Sequence, residues 1–385
     1  MILTTEMKQS MLDVQPELRQ LIRDLCAIPA PSHQEDRRAE FCKAWLEKAG
    51  GQSVFIDEAK NVICPWGVTE DKPLVVVMAH MDTVFPDLEP MAFREDEERF
   101  YCPGVCDDTA QLAVLMVTAR YLMNHCPVPE QVGVLFVANS CEEGLGDLKG
   151  SRQIVKTYGS RIKELISVDS AVITHICNEA VGSHRYQVTV KTEGGHSFGA
   201  FGNRNAIHYL ASMIDTLYGV KVPQEGNSRT TYNVGTISGG TSVNTIAQQA
   251  QMLYEYRSDS RVCLEKMEKM FYTVVEAYRT MGIEVLVERV GERPCTGDVD
   301  PAAEQELTRR AADAMLRQLG EAAQPHSGST DCNIPLSVGI PAIAIGGCSG
   351  HGVHTREEWM ELRSLEPGCR YVLDFLLNTF YGENH

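Results

Sequence analysis

Three runs in this chain are strand-like, two of them apolar at nearly every position, and each leads directly into residues whose side chains divalent metals favour. Pro73 to Ala79 stops at His80, Gln131 to Ala138 runs into Asn139-Ser140-Cys141-Glu142-Glu143, and Glu164 to Val168 runs into Asp169. A strand solvated on one face alternates apolar and polar residues, so continuous apolar runs describe strands covered on both faces, as in a parallel sheet between layers of helices. Between the first two runs lies a helix-like stretch, Leu112 to Met123, which begins just after Asp107-Asp108-Thr109. The expected fold class is α/β. In open sheets of that class, ligands collect beyond the carboxyl ends of the strands, which is where these polar residues would project.

The rest of the chain sets the organisation. About Met11 to Cys26 and Glu35 to Ala49 carry apolar groups at helical spacing and predict two opening helices. From about Ser183 the pattern changes: Arg185 to Lys191 alternates, Asn205 to Tyr218 is helical, Arg229 to Ile237 and Gln249 to Arg257 alternate, Val262 to Met281 is helical, and Ile283 to Val290 alternates. That order is β-α-β-β-α-β, a self-contained unit of the ferredoxin-like type. After Pro294 come a helix (Ala302 to Leu319), a buried strand (Pro341 to Ile345) and a glycine-rich loop from Gly346 to His354. At 385 residues the chain exceeds what one core usually serves. The expectation is one domain built from residues 1–182 and 296–385, interrupted by an inserted lid over residues 183–295.

Charge and composition exclude several classes. A formal charge of −17, without clusters of Lys and Arg, argues against nucleic acid and anionic membrane surfaces as partners. No run approaches the roughly 20 apolar residues a membrane helix requires, and Met1-Ile2-Leu3-Thr4-Thr5-Glu6 carries no basic lead into an apolar stretch. Thirteen cysteines, an odd number scattered through a large chain, fit free thiols in a reducing, cytoplasmic compartment better than a disulfide framework. Cys102 and Cys106 have the spacing of a thiolate pair, but no second pair accompanies them.

His80, Asp107, Glu143, Asp169 and His354 combine imidazole with carboxylate, a donor set that suits zinc or a neighbouring first-row ion. Asp82 lies two residues beyond His80, on the same face if the chain stays extended, and there its carboxylate can bond the second ring nitrogen of a ligating imidazole. Asp107-Asp108 precedes a helix and also reads as a helix cap. Of the two, Asp107 is assigned as the carboxylate that bridges two cations. If Glu143 is a ligand, Glu142 stays outside the ligand set and within reach of the reacting water, as a general base. Other adjacent acids, Glu97-Glu98 and Glu357-Glu358, read as solvated surface. Asp169 also reads as a strand-end turn residue, and His351 competes with His354 in the same loop.

Taken in order, His80-Met81-Asp82-Thr83, Gly104-Val105-Cys106-Asp107-Asp108, Glu142-Glu143-Gly144, Val168-Asp169-Ser170 and His354-Thr355-Arg356-Glu357-Glu358 resemble the dinuclear-zinc peptidases and deacylases. That family includes peptidase T, glutamate carboxypeptidase, carnosinase-like dipeptidases, aminoacylase and succinyl-diaminopimelate desuccinylase. The resemblance covers essentially the whole chain. It implies a mixed-sheet, zinc-exopeptidase-like catalytic domain with an inserted ferredoxin-like lid through which two chains dimerise. It also implies two divalent ions, zinc with cobalt or manganese as alternatives, one held by His80, Asp107 and Asp169 and the other by Asp107, Glu143 and His354. His196 is similar to the lid histidine that stabilises the oxyanion in the partner subunit's site. Asn244 resembles the lid asparagine near the substrate carbonyl, and Arg257 the arginine that grips a substrate carboxylate. The family places a cis peptide after the bridging aspartate, and here Thr109-Ala110-Gln111 stands where its members carry Lys or Asn and small residues. The implied activity is metal-dependent amide hydrolysis by an exopeptidase (aminopeptidase, di- or tripeptidase) acting on small peptides. The alternative is a deacylase or carboxypeptidase for N-acyl amino acids. A non-catalytic binding protein is disfavoured, because such a chain would have lost ligands that are all present.

Overall fold

Leu74–His80 is a seven-residue strand buried at every position. Its alternate residues feed two different cores: Val75, Val77 and Ala79 pack into one apolar cluster, and Leu74, Val76 and Met78 into another on the opposite face. That is the physical content of an uninterrupted apolar run, because side chains alternate faces and both faces are dry. Burying each Val, Leu or Met side chain stabilises the fold by about 1.5–3 kcal/mol. The computed structural model describes residues 2–382.

The strand is central in an eight-stranded mixed sheet of order Phe55–Ile56, Val62–Trp66, Gly133–Asn139, Leu74–His80, Ile162–Val168, Ala342–Ile345, His175–Ala180, Gln324–Gly328. Leu74–His80 is parallel to both neighbours, and its register sets His80 opposite Asn139. Ala342–Ile345 runs parallel to Ile162–Val168, with Ile345 opposite Val168. Four carboxyl ends therefore stop at one level, and the segments bearing His80, Glu142, Asp169 and the glycine-rich loop all begin there. The antiparallel pairs lie further out, at Val62–Trp66 and between Ala342–Ile345 and His175–Ala180. Helix Ala110–His125, buried along most of its length, covers one face together with Pro301–Leu319 and Leu365–Tyr381.

The chain divides into two units, Met1–Ala180 with Gly297–His385, and Val181–Thr296. In the second, the elements follow as strand Gly182–Lys191, helix Ala206–Tyr218, strands Thr230–Gly239 and Gln249–Ser258, helix Arg261–Thr280 and strand Glu284–Arg293. Its main sheet has the first strand inside, between Gln249–Ser258 and Glu284–Arg293, with Thr230–Gly239 at the far edge. The unit has its own core, built around Tyr186, Tyr254, Tyr256 and Phe271.

Two expectations need correction. The stretch expected as one helix from Met11 to Cys26 belongs to two, Thr5–Asp13 and Gln15–Cys26, separated at Val14, with Pro16 in the first turn of the second. Proline has no N–H to continue the preceding helix, whereas a first turn has no need of it. Strands His175–Ala180 and Gln324–Gly328 had no counterpart in the sequence reading. Gln324–Gly328 is an edge strand containing Pro325, which hides strand periodicity. Among the described residues, no helix is long and apolar enough to cross a membrane, and all thirteen cysteines are free.

Candidate metal centre

His80 closes its strand with both ring nitrogens engaged. Nδ1 lies 3.0 Å from the backbone carbonyl of Asp82, and Nε2 lies 3.0 Å from Asp107 Oδ1. The second oxygen of Asp107 is 3.1 Å from His354 Nε2, and the same nitrogen is 3.2 Å from Glu143 Oε1. Residues 274 positions apart in the chain thus converge on one aspartate. Ligand atoms of His80, Asp107 and Glu143 lie within 4.8 Å of one another, as do those of His80, Asp108 and Asp169. Asp169 is therefore grouped with Asp108 as well as His80, and Asp108 is a neighbour the sequence reading left as a helix cap. Asp108 Oδ2 accepts the backbone N–H of His80 at 2.9 Å.

Asp107 sits in a wide turn, Val105–Thr109, where its own backbone leaves the helical region. The turn is entered through Gly104 at φ 76°, where a Cβ would meet Thr83 Cγ2 at 2.6 Å, so only glycine fits. The peptide between Asp107 and Asp108 is cis.

Asp82 adds a second contact to the expected one. Its carboxylate is 3.5 Å from His80 Nδ1, and its short hydrogen bonds come from Glu142 N at 2.9 Å, Glu143 N at 3.0 Å and Ser32 Oγ at 2.6 Å. The ring is held by the Asp82 carbonyl, while the carboxylate clamps the main chain of the Glu142-Glu143 pair. Both glutamates are buried, Glu142 at 5% exposure and Glu143 at 4%.

Electrostatics separate these groups. Burial pushes Glu143 up to about 8, helped by the charge of Asp107. Burial also pushes Asp107 up, but the His354 and His80 imidazoles outweigh it and hold the carboxyl well below the usual range. Hydrogen bonds to Asp107 and Glu143 raise His354 to about 10. Asp108 is raised well above the ordinary range by burial, against the opposing pull of His80, and its Oδ1 is buried without a hydrogen-bond partner. Carboxylates this crowded and this dry call for positive charge beyond two imidazoles. The donor set and the orphaned oxygen fit divalent cations.

Two further residues escaped the sequence reading. Glu358, expected on a solvated surface, is 1% exposed and accepts three backbone N–H groups of the Asp107 loop. Asp331 is fully buried, accepts from Asn139 Nδ2 at 2.5 Å, and is raised well above its ordinary range by burial and by the charge of Glu142. Asp331 carried no local signal, since Ser329-Thr330-Asp331 follows no apolar run; Glu358 lies in the His354-Thr355-Arg356-Glu357-Glu358 motif, but as one of an adjacent acidic pair it read as surface.

The remaining site candidates belong to the second unit. His196 lies on a two-residue strand paired with Thr245–Ile246, and its Nδ1 accepts from Phe198 N and Gly199 N, both at 3.3 Å. The neutral ring therefore carries its proton on Nε2, as a donor. Asn244 is adjacent, its carbonyl accepting Ser197 N at 2.9 Å. Arg257 stands on Gln249–Ser258 and is gripped by Glu255 through Nε at 3.1 Å and a terminal nitrogen at 3.2 Å.

Comparison with known proteins gives a consistent picture. The model of Peptidase family M20/M25/M40 matches residues 76–378, well over half of the chain. The chain is 24% identical over 357 residues to a protein of Mycobacterium tuberculosis named "Putative succinyl-diaminopimelate desuccinylase DapE", covering 90% of this chain and 94% of that one. Among solved structures, a tripeptidase from Staphylococcus aureus superimposes with a TM-score of 0.73 at 22% identity, over 94% of this chain and 97% of that one. The Bacillus subtilis YXEP protein, described as a dinuclear metal binding peptidase, superimposes with a TM-score of 0.65 at 18% identity, over 96% and 99%. At these identities the structural likeness speaks for the fold.

Proposed function

Because the chain belongs to Peptidase family M20/M25/M40 and is a hydrolase of that family, we propose that it is an exopeptidase acting on small peptides, an aminopeptidase or di- or tripeptidase. The observation that carries this reading is the convergence of His80, Asp107, Glu143 and His354, with the main chain of Glu142 clamped beside them. His80, Asp107 and Asp169 would hold one cation, and Asp107, Glu143 and His354 the other. Zinc is the first choice, cobalt and manganese the alternatives. Such ions, when bound, supply Lewis acidity to the scissile carbonyl and acidify a water.

The chain's own groups do the rest. Glu142 accepts the proton of the attacking water and returns it to the departing amine. The hydrogen on His196 Nε2, available as a donor because Nδ1 accepts two backbone N–H groups, donates to the developing oxyanion in the partner subunit's site. Asn244 supplies a further polar contact near the substrate carbonyl, and Arg257, alongside Glu255, receives a substrate carboxylate. Residues 183–295 serve as an inserted lid of the ferredoxin-like type and as the surface through which two chains dimerise. Thirteen free thiols suit a cytoplasmic protein.

A second reading, a deacylase or carboxypeptidase for N-acyl amino acids, draws on the desuccinylase-named relative and on Arg257, which fits an acyl amino acid equally well. The purified protein, supplied with zinc or cobalt, should release amino acids from di- and tripeptides faster than it hydrolyses acetyl or succinyl amino acids. The reverse order moves the assignment to the second reading. Glu142→Ala should abolish turnover while metal content stays nearly unchanged, and full activity in that variant removes Glu142 as the base.

A further inference from the structure

The loop that presents Asp107 belongs to no strand, so each of its buried N–H groups needs an acceptor of its own. Val105 N donates to Cys102 O at 3.0 Å. Gly104, Cys106 and Asp107 all donate to one side chain, Glu358: Gly104 N to Oε2 at 2.6 Å, and Cys106 N and Asp107 N to Oε1 at 2.8 and 2.9 Å. All three N–H groups converge on the two oxygens of one carboxyl group, and three such bonds make a firm anchor.

Glu358 stands four residues after His354. Its carbonyl accepts Cys102 N at 3.2 Å, and it leads straight into strand Trp359–Glu361, paired with Arg99–Tyr101. One buried residue therefore fastens the Asp107 loop to the segment that carries His354, whose imidazole is itself 55% exposed. His80 and Asp169 need no such tether, because each directly ends or follows a fully paired strand of the sheet.

We propose that Glu358 is a positioning residue that sets the spacing between Asp107 and His354, and through it the affinity of the cation held with Glu143, leaving the cation at His80 and Asp169 far less affected. Glu358 belongs to neither proposed ligand set; its carboxylate bonds the backbone N–H groups of Gly104, Cys106 and Asp107. The inference rests on the metal-centre reading given above.

The test titrates metal-free wild type, Glu358→Gln and the exposed-neighbour control Glu357→Gln with zinc by calorimetry, with elemental analysis of the saturated proteins. In Glu358→Gln an amide NH2 replaces one acceptor oxygen and faces an N–H donor. The expected result is one binding step as in wild type and the other weakened about 10–100-fold, the usual cost of losing a group that orients a ligand. Excess zinc should restore kcat at unchanged KM, and Glu357→Gln should behave as wild type. Should Glu358→Gln fail to fold, Glu358→Asp, which keeps the charge and shortens the reach by one methylene, should show the same selective weakening. Equal weakening of both steps, no weakening of either, or a kcat defect that full occupancy does not repair overturns the role of Glu358 alone. A wild type that takes up no metal overturns the metal-centre reading and this inference with it.

Discussion

At the residue scale, the site works through carboxylates that do different jobs according to what they touch. Asp82 shows this best, because its carboxylate bonds the main chain of Glu142 and Glu143 and the Ser32 hydroxyl as well as facing the imidazole two residues before it. Asp82→Asn keeps the size but turns one acceptor into a donor facing an N–H, so the loop bearing the proposed base should loosen. We expect kcat to fall by about 10–100-fold with the fold intact, read from steady-state kinetics beside a circular dichroism spectrum. A kcat within twofold of wild type would mean that Glu142 holds its place without the clamp. His80, Asp107, Glu142, Glu143, Asp169 and His354 were legible in the sequence because each stands at the end of an apolar run or in a motif. The roles of Glu358, although it lies in the His354 motif, and of Asp331 were not, since the groups their carboxylates bond lie more than 190 residues away in the chain. Nothing local distinguishes a buried acid that anchors a distant loop from an exposed one.

At the element scale, legibility followed burial in most strands, although Val62–Trp66, buried at four of its five positions, was not read from the sequence. Strands dry on both faces, such as Leu74–His80 and Gly133–Asn139, announce themselves by composition, and the half-buried strands of the second unit by alternation. Strands of mixed composition do neither, so the interior strand His175–Ala180 and the edge strand Gln324–Gly328 passed unnoticed. Strand Gly182–Lys191 carries a consequence that alternation alone does not reveal. Its inward face buries His184, whose Nδ1 lies 2.8 Å from the Tyr256 hydroxyl. Burial draws the His184 pKa below its usual value, and Arg289 adds to this, while Glu292 and Glu268 only partly oppose it. A depressed folded pKa means that the unfolded chain binds the proton more readily, so the stability His184 contributes is present above about 6.5, the unfolded value, and is lost as pH falls below it. Hydrogen exchange of the Gly182–Lys191 amides in the full-length protein should therefore accelerate between pH 7 and 5, after correction for intrinsic rates. His184→Gln should flatten that dependence. Equal slopes in the two proteins would assign the acid sensitivity to other groups.

At the scale of the whole molecule, the two units differ in what they can gain from a cation. Every candidate ligand lies in the unit formed by Met1–Ala180 and Gly297–His385, whereas Val181–Thr296 has an independent core and no residue of the ligand set. The inserted unit also begins and ends on paired strands, with Ser183 opposite Arg293, so its fold closes on itself. A ligand that binds only the folded state stabilises by about 2.7 kcal/mol at a concentration 100 times its Kd, and that energy belongs to the unit that binds it. Thermal unfolding followed by hydrogen exchange on peptides from each unit should then resolve two responses to a chelator. The unit bearing His80 and His354 should lose roughly 5–10 °C of melting temperature, given about 2–4 °C per kcal/mol for a unit of this size. Peptides from residues 181–296 should melt where they did before. If both units shift together, the cation's stabilisation spreads through the whole chain as one cooperative body. If neither shifts, the crowded carboxylates around Asp107 are balanced by protons rather than by metal.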